Sequence, residues 1–295
     1  MKKLLILSGK GGTGKTTTAA AFIKFSGAEA VADCDVDAPN LHLISAMEEE
    51  PEQSIFYGSD KAWIDGEKCI GCGSCMTECR FHAVCPQDDG TYRIIDYACE
   101  GCGVCESVCP AGAVSMKADE AGTKSLYRKD KVFSTAELKM GRGNSGKLVT
   151  EVKRAMTGAA KEDTKLAVID GSPGIGCPVI ASVSGVDLVL IVAEPSLSGL
   201  SDLERILKTT SVLQTKTAVC VNKYNTNVEK TEQIRSFCEK EGVPFVGKVP
   251  YDKKASAAVN AGLSIAEYDC PAKDALYIVY KNTMEILTGT PAGCR

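Results

Sequence analysis

The stretch Gly9-Lys10-Gly11-Gly12-Thr13-Gly14-Lys15-Thr16-Thr17 lies between a short apolar run, residues 3–8, and a helical stretch that extends to about residue 25. It matches the pattern G-x-x-x-x-G-K-[ST] from Gly9 to Thr16. Consecutive backbone N–H groups in such a loop bind phosphate oxygens, and the N-terminus of the following helix adds the positive end of its dipole. The stretch therefore predicts a nucleotide phosphate site at the end of a first β-strand.

The pattern also assigns roles within the loop. Lys15 is predicted to contact the β- and γ-phosphates, and the Thr16 hydroxyl is predicted to bind Mg²⁺. The remaining nucleotide-binding positions are predicted to be Gly11, Gly12, Thr13, Gly14 and Thr17. ATP or ADP with Mg²⁺ is the expected ligand. A flexible turn without a ligand is the alternative, which the strand–loop–helix context disfavours.

Outside a cysteine-rich segment, the chain alternates apolar strands with helices. Further strands are predicted at 28–33, 165–170, 186–192, 216–221 and 243–248. Helices are predicted at about 145–157, 199–213, 229–241 and 272–288. This alternation indicates the α/β class, with a mostly parallel sheet covered by helices on both faces.

Cysteine dominates the interrupting segment, and one spacing occurs there twice. Cys69-x2-Cys72-x2-Cys75-x3-Cys79 recurs as Cys99-x2-Cys102-x2-Cys105-x3-Cys109, with each cysteine displaced by 30 residues. Bacterial ferredoxins with two four-iron clusters have this spacing, and the fourth cysteine of each run binds the other cluster. One [4Fe-4S] cluster is therefore predicted on Cys69, Cys72, Cys75 and Cys109, and a second on Cys99, Cys102, Cys105 and Cys79.

The cysteine segment contributes nothing to the α/β alternation, so it is interpreted as an insertion. A ferredoxin-like α+β domain is predicted at 59–117, within a discontinuous ATPase domain formed by 1–58 and 118–295. Structural zinc is the alternative for the cysteines, since C-x-x-C pairs also bind zinc. Zinc sites use two separated pairs, whereas three cysteines two residues apart with a distant fourth are typical of a cluster.

Other cysteines and one neighbouring position fall outside this pattern. Cys85 is predicted to be a spare thiol. Three cysteines in strand or helix patterns are predicted to be apolar packing residues, namely Cys34, Cys220 and Cys238. Pro110 follows the second run, as in ferredoxins, whereas Arg80 follows the first.

Composition limits the class of protein. The chain has 295 residues, 44% of them apolar, which is enough for a full core, and its net charge of −4 offers no electrostatic argument for nucleic acid as a partner. The apolar run before Ser8 is too short for a signal peptide, and no stretch approaches the roughly 18–20 apolar residues of a membrane span. We therefore expect a cytoplasmic protein with reduced cysteines, no nucleic-acid partner and no stable membrane anchor.

A second lysine near the start of the loop, Lys10, resembles the deviant Walker A motif of the MinD, ParA, arsenite-pump and nitrogenase iron-protein families. Two further segments are similar to theirs. The stretch 33–40 (DCDVDAPN) ends the second strand, where these families place an acidic residue near Mg²⁺ and the attacking water, at Asp35. The stretch 170–174 (DGSPG) resembles their Walker B aspartate, here Asp170, followed by switch II.

The resemblance implies a mechanism and partners. Two subunits, in a homodimer or a heterodimer with a similar ATPase, would face each other so that Lys10 reaches the partner's nucleotide. Asn222 resembles the residue that reads adenine, and Pro250 resembles a proline that packs on the base. Nucleotide-driven closing and opening is then expected to gate electron transfer, or metal-cluster handling, for a redox or metallocofactor partner protein. Hydrolysis is expected to be slow without that partner.

Similarity to the nitrogenase iron protein singles out Cys177, seven residues after Asp170, at the place of a cysteine that holds a cluster between two subunits. The second ligand position does not match: residues 141–143 (GRG) resemble the tripeptide that follows it, but Lys139 stands where the cysteine would be. We hypothesise that Cys177 binds an ion or a transferred cluster, since a helix N-terminus favours the thiolate. Simple packing is the alternative.

Two other functions are compatible with the same resemblance. A spatial regulator like MinD would need a basic amphipathic tail, yet 272–288 balances two lysines against Asp274 and Glu285. An amide ligase of the cobyrinic acid a,c-diamide synthase type would need a glutaminase Cys–His pair, and the sequence has no histidine after His82. Both are disfavoured relative to an ATP-hydrolysing iron–sulfur protein.

Overall fold

A computed structural model describes residues 1–44, 50–129 and 131–289. The chain forms two compact units: the described residues of 1–53, 124–137 and 145–289 form unit 1, and 54–123 with 138–144 form unit 2. Unit 2 contains the predicted insertion, 59–117, and also takes in 138–144. The functional boundaries at 59–117 stay a prediction.

The described residues contain strands and helices in the following places. The strands are β1 Lys2–Leu7, β2 Ala30–Asp33, β3 Glu52–Tyr57, β4 Lys61–Ile64, β5 Val84–Pro86, β6 Tyr92–Ile94, β7 Val114–Lys117, β8 Glu120–Tyr127, β9 Val132–Leu138, β10 Leu166–Asp170, β11 Leu188–Ala193, β12 Lys216–Asn222 and β13 Phe245–Val249. The helices are α1 Lys15–Ser26, α2 Ser74–Glu78, α3 Val104–Ser107, α4 Ser145–Ala159, α5 Cys177–Val183, α6 Leu197–Val212, α7 Val228–Lys240, α8 Lys253–Asn260 and α9 Pro271–Thr288.

Unit 1 is built on a parallel sheet. Its strands follow the order β13-β12-β11-β1-β10-β2-β9, and the sheet order continues through β8 to β3. Each neighbouring pair from β13 to β9 is parallel. Central strands such as β11 are buried along their whole length, because helices cover both faces of a parallel sheet. The predicted fold class is confirmed.

The parallel arrangement brings five strand ends to one edge of the sheet. In register, Ile6 of β1 lies beside Asp170 of β10, and Asp170 lies beside Asp33 of β2. On the other side of β1, the strands β11 and β12 end at Ala193 and Asn222. Residues that follow these strands therefore meet at the carboxyl edge, where α/β proteins bind ligands.

The helix α9 is part of the core of unit 1. Its apolar face, which includes Ala272, Leu276, Val279 and Leu287, is buried in the main hydrophobic cluster. The apolar side of α9 is therefore packed against the rest of unit 1. Among the described residues, no helix combines the length and the apolar composition needed to cross a bilayer.

Unit 2 shows the sequence duplication as a duplication of structure. Each half is a strand, a short helix and a strand: β4-α2-β5 in the first and β6-α3-β7 in the second. The halves pair crosswise and antiparallel, β4 with β7 and β5 with β6. This crosswise pairing holds the two cysteine runs around one small core, which includes Ala62, Ala83, Cys99 and Val114.

Candidate functional site

The phosphate-binding loop, residues 9–17, is held by side chains that follow β12. Lys223 Nζ donates to the Gly12 carbonyl at 2.8 Å, and Asn222 Nδ2 donates to the Thr13 carbonyl at 2.7 Å. These carbonyls belong to successive peptide units of the loop. Because the acceptors are already engaged by protein donors, the loop can offer its N–H groups to an anion.

Glycine at position 14 is required by this geometry. Gly14 has φ +92°, in the left-handed region, and a Cβ there would lie 2.2 Å from Asn222 Nδ2. A side chain would therefore push Asn222 away from the Thr13 carbonyl. The Gly14 carbonyl accepts from Thr18 N at 2.9 Å, which starts α1. The first turn of α1 thus begins directly under the loop, where its dipole favours a phosphate.

The loop's lysine is buried against two carboxylates. Lys15 Nζ lies 2.8 Å from Asp170 Oδ1 and 3.6 Å from Asp35 Oδ2. The Thr16 hydroxyl lies 3.4 Å from the same Nζ. The structure therefore brings together four predicted site residues, from the ends of β2 and β10 and the start of α1.

Burial and charge in this site shift the pKa values of three side chains. Burial lowers the pKa of Lys15, but the carboxylates of Asp170, Asp35 and Asp33 together outweigh burial, so the pKa lies above its usual value. Burial, followed by the charge of Asp170, raises the pKa of Asp33 to about 7. Burial also raises the pKa of Asp35, although Lys15 opposes the shift. The site holds more carboxylate than one lysine neutralises, so a divalent cation would be favoured here.

Two buried polar atoms support the same conclusion. Thr13 Oγ1 and Asp170 Oδ2 have no hydrogen-bond partner among the described residues. Buried polar atoms are normally satisfied, so such atoms need an explanation. A bound nucleotide with Mg²⁺ would supply a partner, and the residues present fit that group.

A cavity of about 280 Å³ lies next to the phosphate-binding loop. It is lined by loop and helix residues on one side and by the segment after β13 on the other, including Gly12, Thr17, Asn222, Pro250, Tyr251 and Asp252. Both residues predicted to contact adenine, Asn222 and Pro250, thus face one cavity next to the loop. Their adenine contacts stay a prediction.

Lys10 is held within its own chain. Its Nζ lies 2.7 Å from Glu194 Oε2 and 3.2 Å from Ser196 Oγ. Lys223 Nζ lies 3.2 Å from the other carboxylate oxygen of Glu194. The predicted contact of Lys10 with a partner's nucleotide therefore needs this side chain to leave Glu194.

The predicted switch II segment lies beside β1. Gly171 N donates to the Ile6 carbonyl at 2.9 Å, and Gly174 N donates to the Ser8 carbonyl at 3.0 Å. Cys177 is the first residue of α5 and is exposed. The packing alternative for this cysteine, a small buried side chain, does not describe its position.

In unit 2, the fourth cysteine of each run has the same environment. Ala83 N donates to Cys79 Sγ at 3.3 Å, and Ala113 N donates to Cys109 Sγ at 3.3 Å. Backbone amides that point at cysteine sulfur are a recurrent feature around iron–sulfur clusters, whose potential they tune. In both runs, therefore, the sulfur of the fourth cysteine accepts a hydrogen bond from the backbone amide four residues later.

The first three cysteines of each run lie close enough to interact electrostatically. Burial raises the pKa of Cys75, and the charges of Cys69 and Cys72 raise it further. In the second run, Cys105 corresponds to Cys75. Burial raises the pKa of Cys105, and the charges of Cys99 and Cys102 raise it further. Cys79, Cys105 and Cys109 pack against the core that contains Cys99. The assignment of the cysteines to two clusters stays a prediction.

The two halves differ in the surroundings of the second cysteine of each run. Cys72 Sγ lies 3.5 Å from Ser74 Oγ, and hydrogen bonds from the Ser74 backbone and side chain lower the pKa of Cys72. Val104 occupies the corresponding place after Cys102. Within the described residues, no group of three or more His, Cys, Asp or Glu side chains is arranged to hold a single metal ion. A four-iron cluster differs from a single ion, since each thiolate binds a different iron.

Residues 4–265 match the model of the CobQ/CobB/MinD/ParA nucleotide binding domain. The chain belongs to this family. It is a P-loop ATPase of the MinD/ParA type. The family resemblance inferred from the phosphate-binding loop and the strand-end aspartates is confirmed.

Relatives cover both units of this ATPase. The iron-sulfur cluster carrier protein of Pyrococcus horikoshii is 25% identical over 293 residues, covering 92% of this chain and 82% of that protein. A ferredoxin of Pyrobaculum islandicum is 34% identical over 85 residues, covering 27% of this chain and 78% of the ferredoxin. The fold is similar to that of the cell division ATPase MinD of Pyrococcus furiosus, with a TM-score of 0.57 at 16% identity over 97% of this chain and 99% of MinD.

Sequence reasoning missed three charged residues around this ATPase's phosphate-binding loop. Glu194 pairs with Lys10, and Lys223 donates to the Gly12 carbonyl. Asp33 accepts from the backbone N–H groups of residues 35, 40 and 41. Each follows or ends a strand at the carboxyl edge of the sheet. That position was the available signal, because charged residues at such strand ends are candidates for the ligand site.

Proposed function

We propose that this ATPase is an iron–sulfur protein in which nucleotide-driven closing and opening of a dimer controls electron transfer, or iron–sulfur or metal-cofactor assembly, on a partner protein. The observation that carries the proposal is the presence, in one chain, of a built phosphate loop and a duplicated cysteine unit. Neither feature alone would require the other.

ATP is the proposed substrate of unit 1. The loop's N–H groups would hold the phosphates, Lys15 would contact the β- and γ-phosphates, and Thr16 would bind Mg²⁺. Asp170 and Asp35 add negative charge beside Lys15, which suits them to hold Mg²⁺ and to orient the attacking water. Hydrolysis would be slow without a partner, because the switch loops need a partner to reach their active arrangement.

The dimer is proposed on Lys10. This lysine, paired with Glu194 in one chain, would reach the nucleotide of the second subunit in the closed state. Asn222 and Pro250 line the cavity proposed for adenine. Hydrolysis removes the γ-phosphate that the closed state contacts, so the dimer would reopen.

Two [4Fe-4S] clusters are proposed for unit 2. Cys69, Cys72, Cys75 and Cys109 would bind one, and Cys99, Cys102, Cys105 and Cys79 would bind the other. Such clusters supply one-electron redox chemistry when bound. The matched amide–sulfur bonds at Cys79 and Cys109 and the crosswise pairing of the halves support this ligand exchange. The names of two relatives, a ferredoxin and an iron-sulfur cluster carrier protein, support the same chemistry.

The two candidate outputs use different cysteines. The duplicated unit provides a fixed site for resident clusters, which favours electron transfer. Transfer of a cluster or ion would instead use the exposed Cys177 at the start of α5. We place electron transfer first, since the residues that support it are more numerous and structurally matched.

The experiment that tests the proposal is anaerobic purification followed by metal analysis. We expect about eight iron and eight sulfide per chain, the content of two four-iron clusters. On reduction by dithionite, electron paramagnetic resonance should show interacting [4Fe-4S]⁺ signals. Addition of Mg-ATP should shift the protein from monomer to dimer in analytical ultracentrifugation. Stoichiometric zinc with little iron, or no response to Mg-ATP, would contradict the corresponding half of the proposal.

A further inference from the structure

Glu194 is the centre of a small ion-pair group beside the phosphate-binding loop. One carboxylate oxygen, Oε2, pairs with Lys10 at 2.7 Å, and the other, Oε1, pairs with Lys223 at 3.2 Å. The side chain of Glu194 is only 22% exposed. Burial raises its pKa, but the hydrogen bonds and charges of the two lysines outweigh burial and lower it. Glu194 is therefore a carboxylate shared between two cations.

The two lysines have different surroundings. Lys223 is fixed at a second point, since its Nζ also donates to the Gly12 carbonyl at 2.8 Å. Lys10 has Ser196 Oγ, at 3.2 Å, as its other partner, and that hydroxyl already accepts from Gly199 N as the cap of α6. Lys10 can thus leave without breaking the Lys223 contacts that hold the loop.

From this geometry we infer that Glu194 is a positioning residue that keeps Lys10 beside the loop of its own chain until a second subunit's nucleotide takes Lys10 over. The inference rests on the proposed dimer. In the open state Glu194 neutralises Lys10, and in the closed state the partner's phosphates replace Glu194 as the counter-charge. Glu194 keeps Lys223 as its partner in both states.

Partial exposure makes this exchange feasible. The Lys10 side chain is 36% exposed, and ion pairs in contact with solvent are weak. Phosphate oxygens of a bound nucleotide carry more charge than one carboxylate, so they compete well for the lysine. Glu194 thereby sets the ATP concentration at which the dimer forms, because closure must first break the Lys10–Glu194 pair.

The test uses Glu194→Gln in the full chain. The amide keeps the shape and one acceptor for Lys223 but removes the charge that holds Lys10. We expect the ATP concentration for half-maximal dimer formation to fall several-fold, while the dissociation constant of the monomer for Mg-ADP changes by less than twofold. Glu204→Gln is the matched control, since Glu204 forms an exposed pair with Lys208 on α6 away from the loop.

A second readout follows Lys10 directly. Acetylation of nucleotide-free protein, measured by mass spectrometry relative to Lys208, should modify Lys10 several-fold faster in Glu194→Gln than in wild type. In the background of Lys10→Ala, the Glu194→Gln change should have no further effect on dimer formation.

The outcomes separate the two hypotheses. A wild-type chain that stays monomeric with Mg-ATP contradicts the proposed dimer. It then also contradicts the inferred move of Lys10 from Glu194 to the partner's nucleotide. A wild-type dimer whose midpoint is unchanged in Glu194→Gln overturns only the inference. Loss of Mg-ADP binding in Glu194→Gln also overturns it, because Glu194 would then act by holding the loop through Lys223.

Discussion

Lys15 Nζ donates to Asp170 Oδ1 at 2.8 Å, and both side chains are buried. The lysine comes from the start of α1 and the aspartate from the end of β10. The cation that the motif directs at phosphate is therefore paired with the strand-end carboxylate. This pair links nucleotide binding to the stability of the sheet's carboxyl edge.

The first prediction concerns this pair. Lys15→Met should abolish Mg-ATP binding in calorimetry, with at least a hundredfold loss of affinity. It should also destabilise the nucleotide-free protein in urea by up to about 3–5 kcal/mol, the cost of leaving a buried charge unpaired. Lys15→Met with Asp170→Asn should recover stability but not binding. Nucleotide affinity near that of wild type in Lys15→Met would contradict the role of Lys15.

The second prediction separates binding from dimer formation. Lys10→Ala should bind Mg-ATP within about twofold of wild type, because its ammonium pairs with Glu194 and not with the loop's own site. The ATP-dependent dimer and hydrolysis should both fall at least tenfold. Sedimentation and phosphate release provide the measurements. Wild-type hydrolysis in Lys10→Ala would show that the two-subunit mechanism is wrong.

The third prediction concerns the clusters. Cys72→Ser should lower iron from about eight to about four per chain, since one of two four-iron clusters loses a ligand. Mg-ATP binding should be unchanged. Cys85→Ser is the matched control, because Cys85 lies in the same unit but outside the repeat, and it should keep full iron. Equal iron in both variants would remove Cys72 from the ligand set.

The fourth prediction tests Cys177, which is exposed at the start of α5. Cys177→Ser should keep ATP hydrolysis and lose transfer of clusters or electrons to the partner. Cys85→Ser again serves as the control. If transfer survives in Cys177→Ser, the resident clusters of unit 2 act without this thiol.

The fifth prediction concerns Lys153, whose Nζ donates to the carbonyls of Ala181 and Ser182 in the last turn of α5 and of Ser184 just after it. Burial lowers its pKa from 10.5 to about 8. Between these values the unfolded chain binds more protons than the folded one, so this group's contribution to stability rises with pH.

Wild type should therefore gain stability relative to Lys153→Arg between pH 8 and 10.5, by at most about 3 kcal/mol. Arginine keeps the charge and the donors but does not titrate there. Urea unfolding of both proteins across this range gives the difference. A difference that is constant with pH would show that folding leaves the pKa of Lys153 unchanged and would contradict this prediction.

Most of the α/β architecture could be predicted from periodicity, because each central strand is an apolar run bounded by helix signals. The predicted helix at 199–213 is observed as Leu197–Val212, and the predicted strand at 165–170 as Leu166–Asp170. A helix N-terminus was expected at Cys177, where α5 begins, but the extent of that helix was not predicted. Gly174, Gly176 and Pro178 are typical of a loop, although proline is tolerated in a first helical turn. The strand β8 was missed because its sequence, EAGTKSLY, is largely polar.

The sequence by itself determined the phosphate loop, the duplicated cysteine runs and the family, because each depends on residue types at fixed short spacing. Only the tertiary structure decided that Lys10, Glu194 and Lys223 share one ion-pair group. These residues follow β1, β11 and β12, and the sheet order places those three strands side by side. Parallel strands bring their carboxyl ends to one edge, but which strands are neighbours depends on how the whole chain packs, and no local pattern contains that information.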